Sequence, residues 1–485
     1  MNRAKNRGAG SKSLIGVLAG LSVVAAAGLT ASDYVLGGIA EKQLSQISYK
    51  GLSDEPQVRL VEFKRGIFSS TAITEVEVPI PKQDPVRLRF AHVVSNGPRL
   101  GAIRAARVDT RLDVNASEVP ALRTLFPTES PLHIQTDIGF DGSTQGIFES
   151  PALTHASTGV DDANVEWAGV QGHFSASAAA NASNLHVLVD GKAPQLVIDS
   201  ERSKLTLSNL GLSGDMRQTE FEGIWLGTGK FEIDSIAVAS PQGMGGEIKQ
   251  FAVTSDAAEQ NGLLSSRVGM GAASASFAGT EIGHPNLSLT MSNLAPGPFQ
   301  AVRKDVAAFK ADPANQDHPE KVVEVLKQHL PEFLASKPIV SLDDLSFTLN
   351  GQTSSLSANV QYIGKGAIAD FVPQRDLSGA AKLALPVPLA MMMLAGPATA
   401  KMAGNADPMA TLQSLQRAGA VSDGADGVLR TAAQLTDGQI TVNSIPLEKI
   451  MGQLASAGPE VGMPSGVASH TGSKTLVKQA VKPGR

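Results

Sequence analysis

The chain has 485 residues, 42% hydrophobic but only 4% aromatic, so it can bury a large core made mainly of Leu, Val, Ile and Ala. Two tryptophans (Trp167, Trp225) and three tyrosines (Tyr34, Tyr49, Tyr362) are too few for an aromatic sugar-binding or base-stacking platform. There is no cysteine, which excludes disulfides, thiol catalysis, Cys-ligated zinc and a lipidated cysteine. The net charge is −5, and setting aside Arg3, Lys5, Arg7 and Lys12 leaves 37 cations against 46 anions, or −9. An acidic exterior repels phosphate backbones, so nucleic acid is not an expected partner.

Residues 1–12 read as a basic cytoplasmic segment. Residues 13–32 carry no charge, and twenty helical residues span about 30 Å, the thickness of a bilayer core. The charges before this segment are positive and the first one after it is Asp33. That order predicts a single-pass anchor in a bacterial inner membrane, N-terminus in the cytoplasm and bulk in the periplasm. A cleaved signal peptide, with small residues at Ala25–Ala27 or Leu29–Ala31, and a buried helix are the competing readings. Gly16 and Gly20 have the spacing of a helix-pairing motif, which chance also explains in a segment rich in Gly and Ala.

A short amphipathic helix is expected from Tyr34 to about Ile47. Beyond it, alternation with period two predicts strands with one buried face. Val86, Leu88 and Phe90 oppose Arg87 and Arg89. Val108, Thr110, Leu112 and Val114 oppose Arg107, Asp109, Arg111 and Asp113. Leu132, Ile134, Ile138 and Phe140 oppose His133, Gln135 and Asp137. Strands follow at Leu185–Val189, Leu196–Ile198, Leu205–Leu212, Phe231–Val238, Leu287–Met291, Leu345–Leu349 and Leu356–Val360, with turn residues about every ten positions, the spacing of an antiparallel meander. Several strands share a loose LxLxxL pattern without an exact repeat.

Two stretches interrupt the strands. Residues 297–335 read as two helices on the spacing of Val302, Val306 and Phe309 and of Val322, Val325, Leu326, Leu330 and Phe333. Residues 387–435 read as a second helical block, broken at Gly404–Pro408. A strand at Gln439–Val442 and a helix from Leu447 follow, and residues 453–485 read as a disordered tail. The predicted fold is therefore mainly β with helical insertions (α+β): a transmembrane helix, then a large antiparallel domain over 33–452.

The order of these features, with certain strings, resembles the YdgA family of bacterial inner-membrane-anchored envelope proteins, whose function is not known. The strings are Phe63-Lys64-Arg65-Gly66-Ile67-Phe68-Ser69-Ser70, then Asn96-Gly97-Pro98, where Asn stands in place of the family's His. Leu330-Pro331 closing a helix before Lys337-Pro338-Ile339, Leu383-Ala384-Leu385-Pro386 and Asp437-Gly438-Gln439-Ile440-Thr441-Val442-Asn443 complete the set. The resemblance covers about 33–452 and implies an exported β-rich domain. It brings no catalytic residues.

The motif search gives no catalytic, cofactor-binding or metal residues. Arg65-Gly66-Ile67-Phe68-Ser69-Ser70 offers an arginine that suits an anion beside a glycine that permits a tight turn. The preferred reading is structural, with Phe68 in the core and Arg65 paired with a strand carboxylate. The nine histidines, at 92, 133, 155, 173, 186, 284, 318, 329 and 470, form no HxH or HExxH cluster. Asp317-His318 reads as a helix cap. Gly243-Met244-Gly245-Gly246 and Gly364-Lys365-Gly366 read as turns. There is no GxSxG elbow and no phosphate-binding loop. Met391-Met392-Met393, with Met402 and Met409, suits an apolar helix better than a soft-metal site, since consecutive residues point different ways. Lys474, Lys478, Lys482 and Arg485 make the tail basic, a solvated tail by default.

The expected role is a non-enzymatic envelope protein, held to the inner membrane by its N-terminal helix, that binds or scaffolds another envelope component or forms a homo-oligomer. A carrier of a lipid-like molecule in a β-sheet groove is the first alternative. A hydrolase with a dispersed active site is the second.

Overall fold

The structure, a computed structural model, describes residues 57–456 apart from 79–84, 98–103, 116, 118–124, 127–129, 157–163, 179–184, 202, 222–223, 241–244, 312–321, 365–370, 396–406 and 425. The expected anchor, the helix from Tyr34, Asp317-His318 and the basic tail lie outside the described residues. Among the described residues no helix is long and apolar enough to cross a membrane.

Two compact units emerge, one of residues up to 382 with 435–438, the other of residues 383–434 and those from 439 onward. The first unit is dominated by one antiparallel sheet. Its first six strands, β1 (Gln57–Lys64), β2 (Ser69–Val78), β3 (Val86–Asn96), β4 (Ala106–Asp113), β5 (His133–Ile138) and β6 (Thr144–Ser150), pair in sequence order. The short hairpin β7 (Leu153–Ala156) and β8 (Asn164–Trp167) then steps aside, so that β6 pairs with β9 (Val170–Ala178). From there the meander runs through β10 (Leu185–Asp199), β11 (Lys204–Gln218), β12 (Trp225–Ala239) and β13 (Gly246–Gln260). It continues with β14 (Leu263–Gly271) and β15 (Ser274–Phe277), both lying between β13 and β16 (Thr280–Leu294), and then with β17 (Ile339–Leu349) and β18 (Gln352–Tyr362).

Tight turns set this register. Asn261-Gly262 joins β13 to β14 and Asn350-Gly351 joins β17 to β18, with positive φ at all four residues. That is the two-residue turn whose twist matches a hairpin, and Asn and Gly are the residues that tolerate it.

The cross-strand rows show how far the alternation persists. One runs from Phe63 through Ala72, His92, Thr110, Ile134, Phe148, Gly172, Gly191, Leu212, Phe231, Val253, Met270, Leu287 and Leu345 to Leu356, each residue paired with the next. Paired residues point to the same face, so one predominantly apolar face extends across the sheet. The opposite face carries the charges, as expected for Arg87, Arg89, Arg107, Asp109, Arg111 and Asp113.

Several expectations change in detail. Leu185–Val189 and Leu196–Ile198 belong to one strand, β10, and β10 to β13 and β16 each reach 15 residues, longer than the ten-residue rhythm suggested. Phe140 lies beyond the end of β5, in the turn to β6, and is exposed. Asn209, Gln250 and His284 have φ near +50° and, with Asp234 and Ala273 on the strands between them, form one row where the ladder is interrupted. A left-handed residue shifts the alternation by one. This row accounts for the LxLxxL spacing of Leu207 and Leu210, of Ile233 and Ile236, and of Ile248 and Phe251.

The first helical block is present as α1 (Pro296–Ala311) and α2 (Val322–Ala335). Pro331 does not close α2, which continues to Ala335; in the last turns a proline removes only one backbone bond. The four-residue α3 (Pro373–Asp376) leads into β19 (Leu377–Pro386).

In the second unit α4 (Val387–Leu394) and α5 (Pro408–Arg417) realise only part of the second helical block. Its last stretch, expected as helix, is β20 (Ser422–Asp423) and β21 (Val428–Thr436). The alternation of Leu429, Thr431, Ala433 and Leu435 against Arg430, Ala432, Gln434 and Thr436 is masked in sequence by small residues, which suit helix and strand alike. β22 (Gln439–Val442), β23 (Ile445–Pro446) and α6 (Leu447–Ser456) follow as expected. Ala390, Leu412 and Leu429 form this unit's core, with Leu385, Val387, Met391 and Leu394 against them.

Candidate functional site, an open apolar sheet face

The apolar face meets two different fates along the sheet. Over β1 to β9 it is covered. Val76, Leu88, Phe90, Leu112, Ile134, Phe148 and Phe174 are buried, and Leu125 and Phe126 from the β4–β5 connection, Leu153 and Trp167 of the β7–β8 hairpin and Val170 of β9 pack with them. The sheet makes room for the two phenylalanines with glycine: a Cβ on Gly172 would strike the Phe148 ring, and one on Gly146 the Phe174 ring.

Over β14 to β18 the same face is open. Val268, Met270, Leu289, Met291, Val340, Leu345 and Val360 are 40–51% exposed, although their backbones are enclosed in the sheet. They form three adjacent rows: Met270–Leu287–Leu345, Val268–Leu289–Leu342 and Met291–Val340–Val360. At strand spacing of roughly 4.8 Å, the strands involved make a patch about 20 Å across. Monomeric proteins rarely leave so contiguous an apolar area in water unless something binds it.

One end of this face is capped. Phe299 of α1 and Phe333 of α2 pack on Leu226, Leu264 and Leu294, and the helices are tied by His329 Nε2 to Asp305 Oδ2 at 2.6 Å. On the reverse face, polar groups bond across the strands. Asp343, the extra residue where β17 bulges against β16, accepts from Thr290 Oγ1 at 2.5 Å and lies 3.5 Å from Arg267 Nε. Asn286 Nδ2 donates to Asp344 at 2.6 Å.

The covered half holds several buried polar groups bonded within the protein, although the Oγ1 of Thr136 has no hydrogen-bond partner among the described residues. Glu75, 3% exposed, accepts from Arg59 Nε at 2.9 Å and Arg89 Nε at 3.1 Å. Burial alone would raise its pKa, yet the hydrogen bonds from Arg89 and Arg59 outweigh it and hold the carboxyl below its ordinary value. Asp137 is likewise lowered, chiefly by its bonds from Arg107 and also by Arg104. His92 is buried between Thr74 Oγ1, 2.7 Å from Nε2, and Thr110 Oγ1, 2.8 Å from Nδ1. Burial pushes its pKa down from 6.5 to about 4, so at neutral pH the ring is uncharged, with one nitrogen donating and the other accepting. His133 sits between Asp109 and Glu149, at 3.3 and 3.0 Å, on the polar face and with no hydroxyl nucleophile bonded to it.

The sequence candidates fare unevenly. Arg65-Gly66-Ile67-Phe68-Ser69-Ser70 forms the turn from β1 to β2, as the structural reading required, but Phe68 is 82% and Ile67 88% exposed. The expectation that Phe68 enters the core is overturned: the tip lies beyond the last cross-strand partners, where no second layer covers it. Met391 packs into the core of the second unit whereas Met392 and Met393 face solvent, so the three do not converge. Among the described residues no three His, Asp or Glu side chains gather as metal ligands. Gly364 follows β18 and Gly246 opens β13, while Gly243, Met244, Lys365 and Gly366 lie outside the described residues. The open face itself went unnamed in sequence because each of its strands reads as an ordinary half-buried one.

The model of the family described as bacterial protein of unknown function, DUF945, matches residues 11–448. The chain belongs to this family. No curated protein and no solved structure matches it.

Proposed function

We propose that this DUF945 member is a carrier or binder of a lipid-like molecule, whose acyl chains lie along the open apolar face of β14 to β18. The observation that supports it is the contiguous set of half-exposed Val, Leu and Met side chains in three paired rows. Protein–protein hot spots favour Trp, Tyr and Arg, and these three rows contain none of them. An aliphatic surface without directional donors suits a flexible hydrocarbon chain. Covering each half-exposed side chain contributes roughly 1 kcal/mol.

The finer family reading, YdgA-like, and the address belong to the same proposal: an uncleaved anchor at 13–32, with the sheet in the periplasm and no enzymatic activity. A reporter enzyme active only outside the cytosol, fused after Arg485, reads the address.

Lipid extraction and mass spectrometry of the detergent-purified full chain test the binding role. Acyl lipid is expected to copurify with the wild type and to fall about tenfold in the Leu289→Asp, Val340→Asp double variant. Equal lipid in both would refute the carrier. A homo-oligomer in the wild type that becomes monomeric in the double variant, with no lipid in either, would instead establish the scaffold reading.

A further inference from the structure

The turns at one end of the sheet carry its most exposed large apolar side chains. The β1–β2 turn presents Ile67 at 88% and Phe68 at 82% exposure, and the β5–β6 turn presents Phe140 at 68%. The registers place both turns at the same end. Ser69 pairs with Ser95, Asn96 with Ala106, Ala106 with Ile138, and Ile138 with Thr144. Four strand intervals separate β1 from β5, so the tips stand about 15–20 Å apart.

We propose that this end of the sheet inserts into a lipid surface, with Ile67, Phe68 and Phe140 as the penetrating side chains. The inference goes beyond the carrier reading, since a carrier need not touch a bilayer by its turns. A protein partner would need roughly 800 Å² of contiguous surface, which separate tips along the strand axes do not offer. A bilayer accepts isolated apolar points held at a common level, its interface taking up Phe and Leu-like side chains beside cations. The flanking charges agree: Lys64, Arg65, Arg104 and Arg107 against Glu62, Asp137 and Asp141 give one cation in excess, in a chain of net charge −5. Most of these charges are paired within the protein, Lys64 with Glu62 and Asp137 with Arg104 and Arg107, while Asp141 accepts from the N–H and hydroxyl of Ser143. The uncharged residues 13–32 also bring a bilayer within reach. Twenty-four residues, the number from 33 to 56, can reach at most about 80 Å, whereas the eight residues of β1 cover only about 27 Å.

The absence of cysteine gives a clean test. Phe68→Cys, Phe140→Cys and, as control, Phe277→Cys are made singly in the full chain and labelled with a polarity-sensitive dye. Phe277, 67% exposed, lies beside the β15–β16 turn at the opposite end. The labelled proteins are reconstituted into vesicles of phosphatidylethanolamine and phosphatidylglycerol that carry a lipid-borne quencher. The expected result is at least threefold stronger quenching at 68 and 140 than at 277, with blue-shifted emission. Quenching at 68 and 140 no greater than at 277, or failure of the protein to associate with the vesicles, would overturn the proposal. Copurifying lipid with unquenched tips would sink this inference and leave the carrier; quenched tips without copurifying lipid would do the reverse.

Discussion

Strands β1 to β9 and strands β14 to β18 belong to one sheet and share one apolar face, yet only the first set is covered. In the first, Phe126 from between β4 and β5 and Leu153 and Trp167 of the β7–β8 hairpin join the cluster that buries Phe90 and Ile134. In the second, turns such as Asn261-Gly262 and Asn350-Gly351 are too short to return over anything. The difference teaches that alternation decides which face is apolar, whereas the connections decide whether that face becomes a core or a surface.

The largest expected contrast is in cavity cost. Phe90→Ala, in the covered half, should destabilise by about 3–5 kcal/mol, because a fully buried aromatic leaves a void. Leu289→Ala, on the open face, should cost less than about 1 kcal/mol. Urea unfolding of both reads the contrast; equal losses would mean that the open face is covered in solution.

Acid should strike the covered half next. In the unfolded chain the His92 imidazole takes up a proton near pH 6.5, and in the fold only near pH 4. Between these values the unfolded state holds more protons, so stability falls as pH drops, by about 3 kcal/mol in all. A His92→Gln variant should flatten the stability profile between pH 6.5 and 4. Glu75, its pKa held below 4.5, keeps its contribution above pH 4.5 and loses it as pH falls from there through its lowered folded value. A wild-type profile that is level from 6.5 to 4 would contradict the buried neutral ring.

A smaller effect is expected in the row of left-handed residues that holds Asn209. Asn209→Val places a branched side chain at φ +51° and should cost about 1–2 kcal/mol, whereas Asn209→Gly should change stability by a few tenths. Thermal melts of the two variants separate backbone strain from loss of the Asn209–Asp234 hydrogen bond at 2.9 Å, since glycine removes the bond but relieves the strain. Smallest of all, Leu289→Lys on the open face should leave the melting temperature nearly unchanged while removing lipid, the signature of a surface whose purpose is not folding.

Much of the architecture was legible from residue order. The registers of Val86 to Phe90, Val108 to Val114 and Leu132 to Ile138 emerged as expected because charges on the opposing face leave no second choice. Residues 422–435 read as helix in the sequence because Ala, Gly and Leu do not distinguish a helix from a strand. Pro331 was overweighted as a helix stop, since its missing N–H matters little so near the helix end. Phe68 and Phe140 were assigned to the core on hydrophobicity alone, without knowledge of where each strand ends.

By itself, then, the order of apolar and polar residues determined a sheet with one greasy face, its turns and its helical insertions, since local alternation and turn chemistry depend on neighbours in the chain. Which part of that face is roofed, which side chains stand out at the turns and which histidine is sealed from water were decided only by tertiary structure. Each depends on what residues distant in sequence place overhead, and alternation carries no record of that.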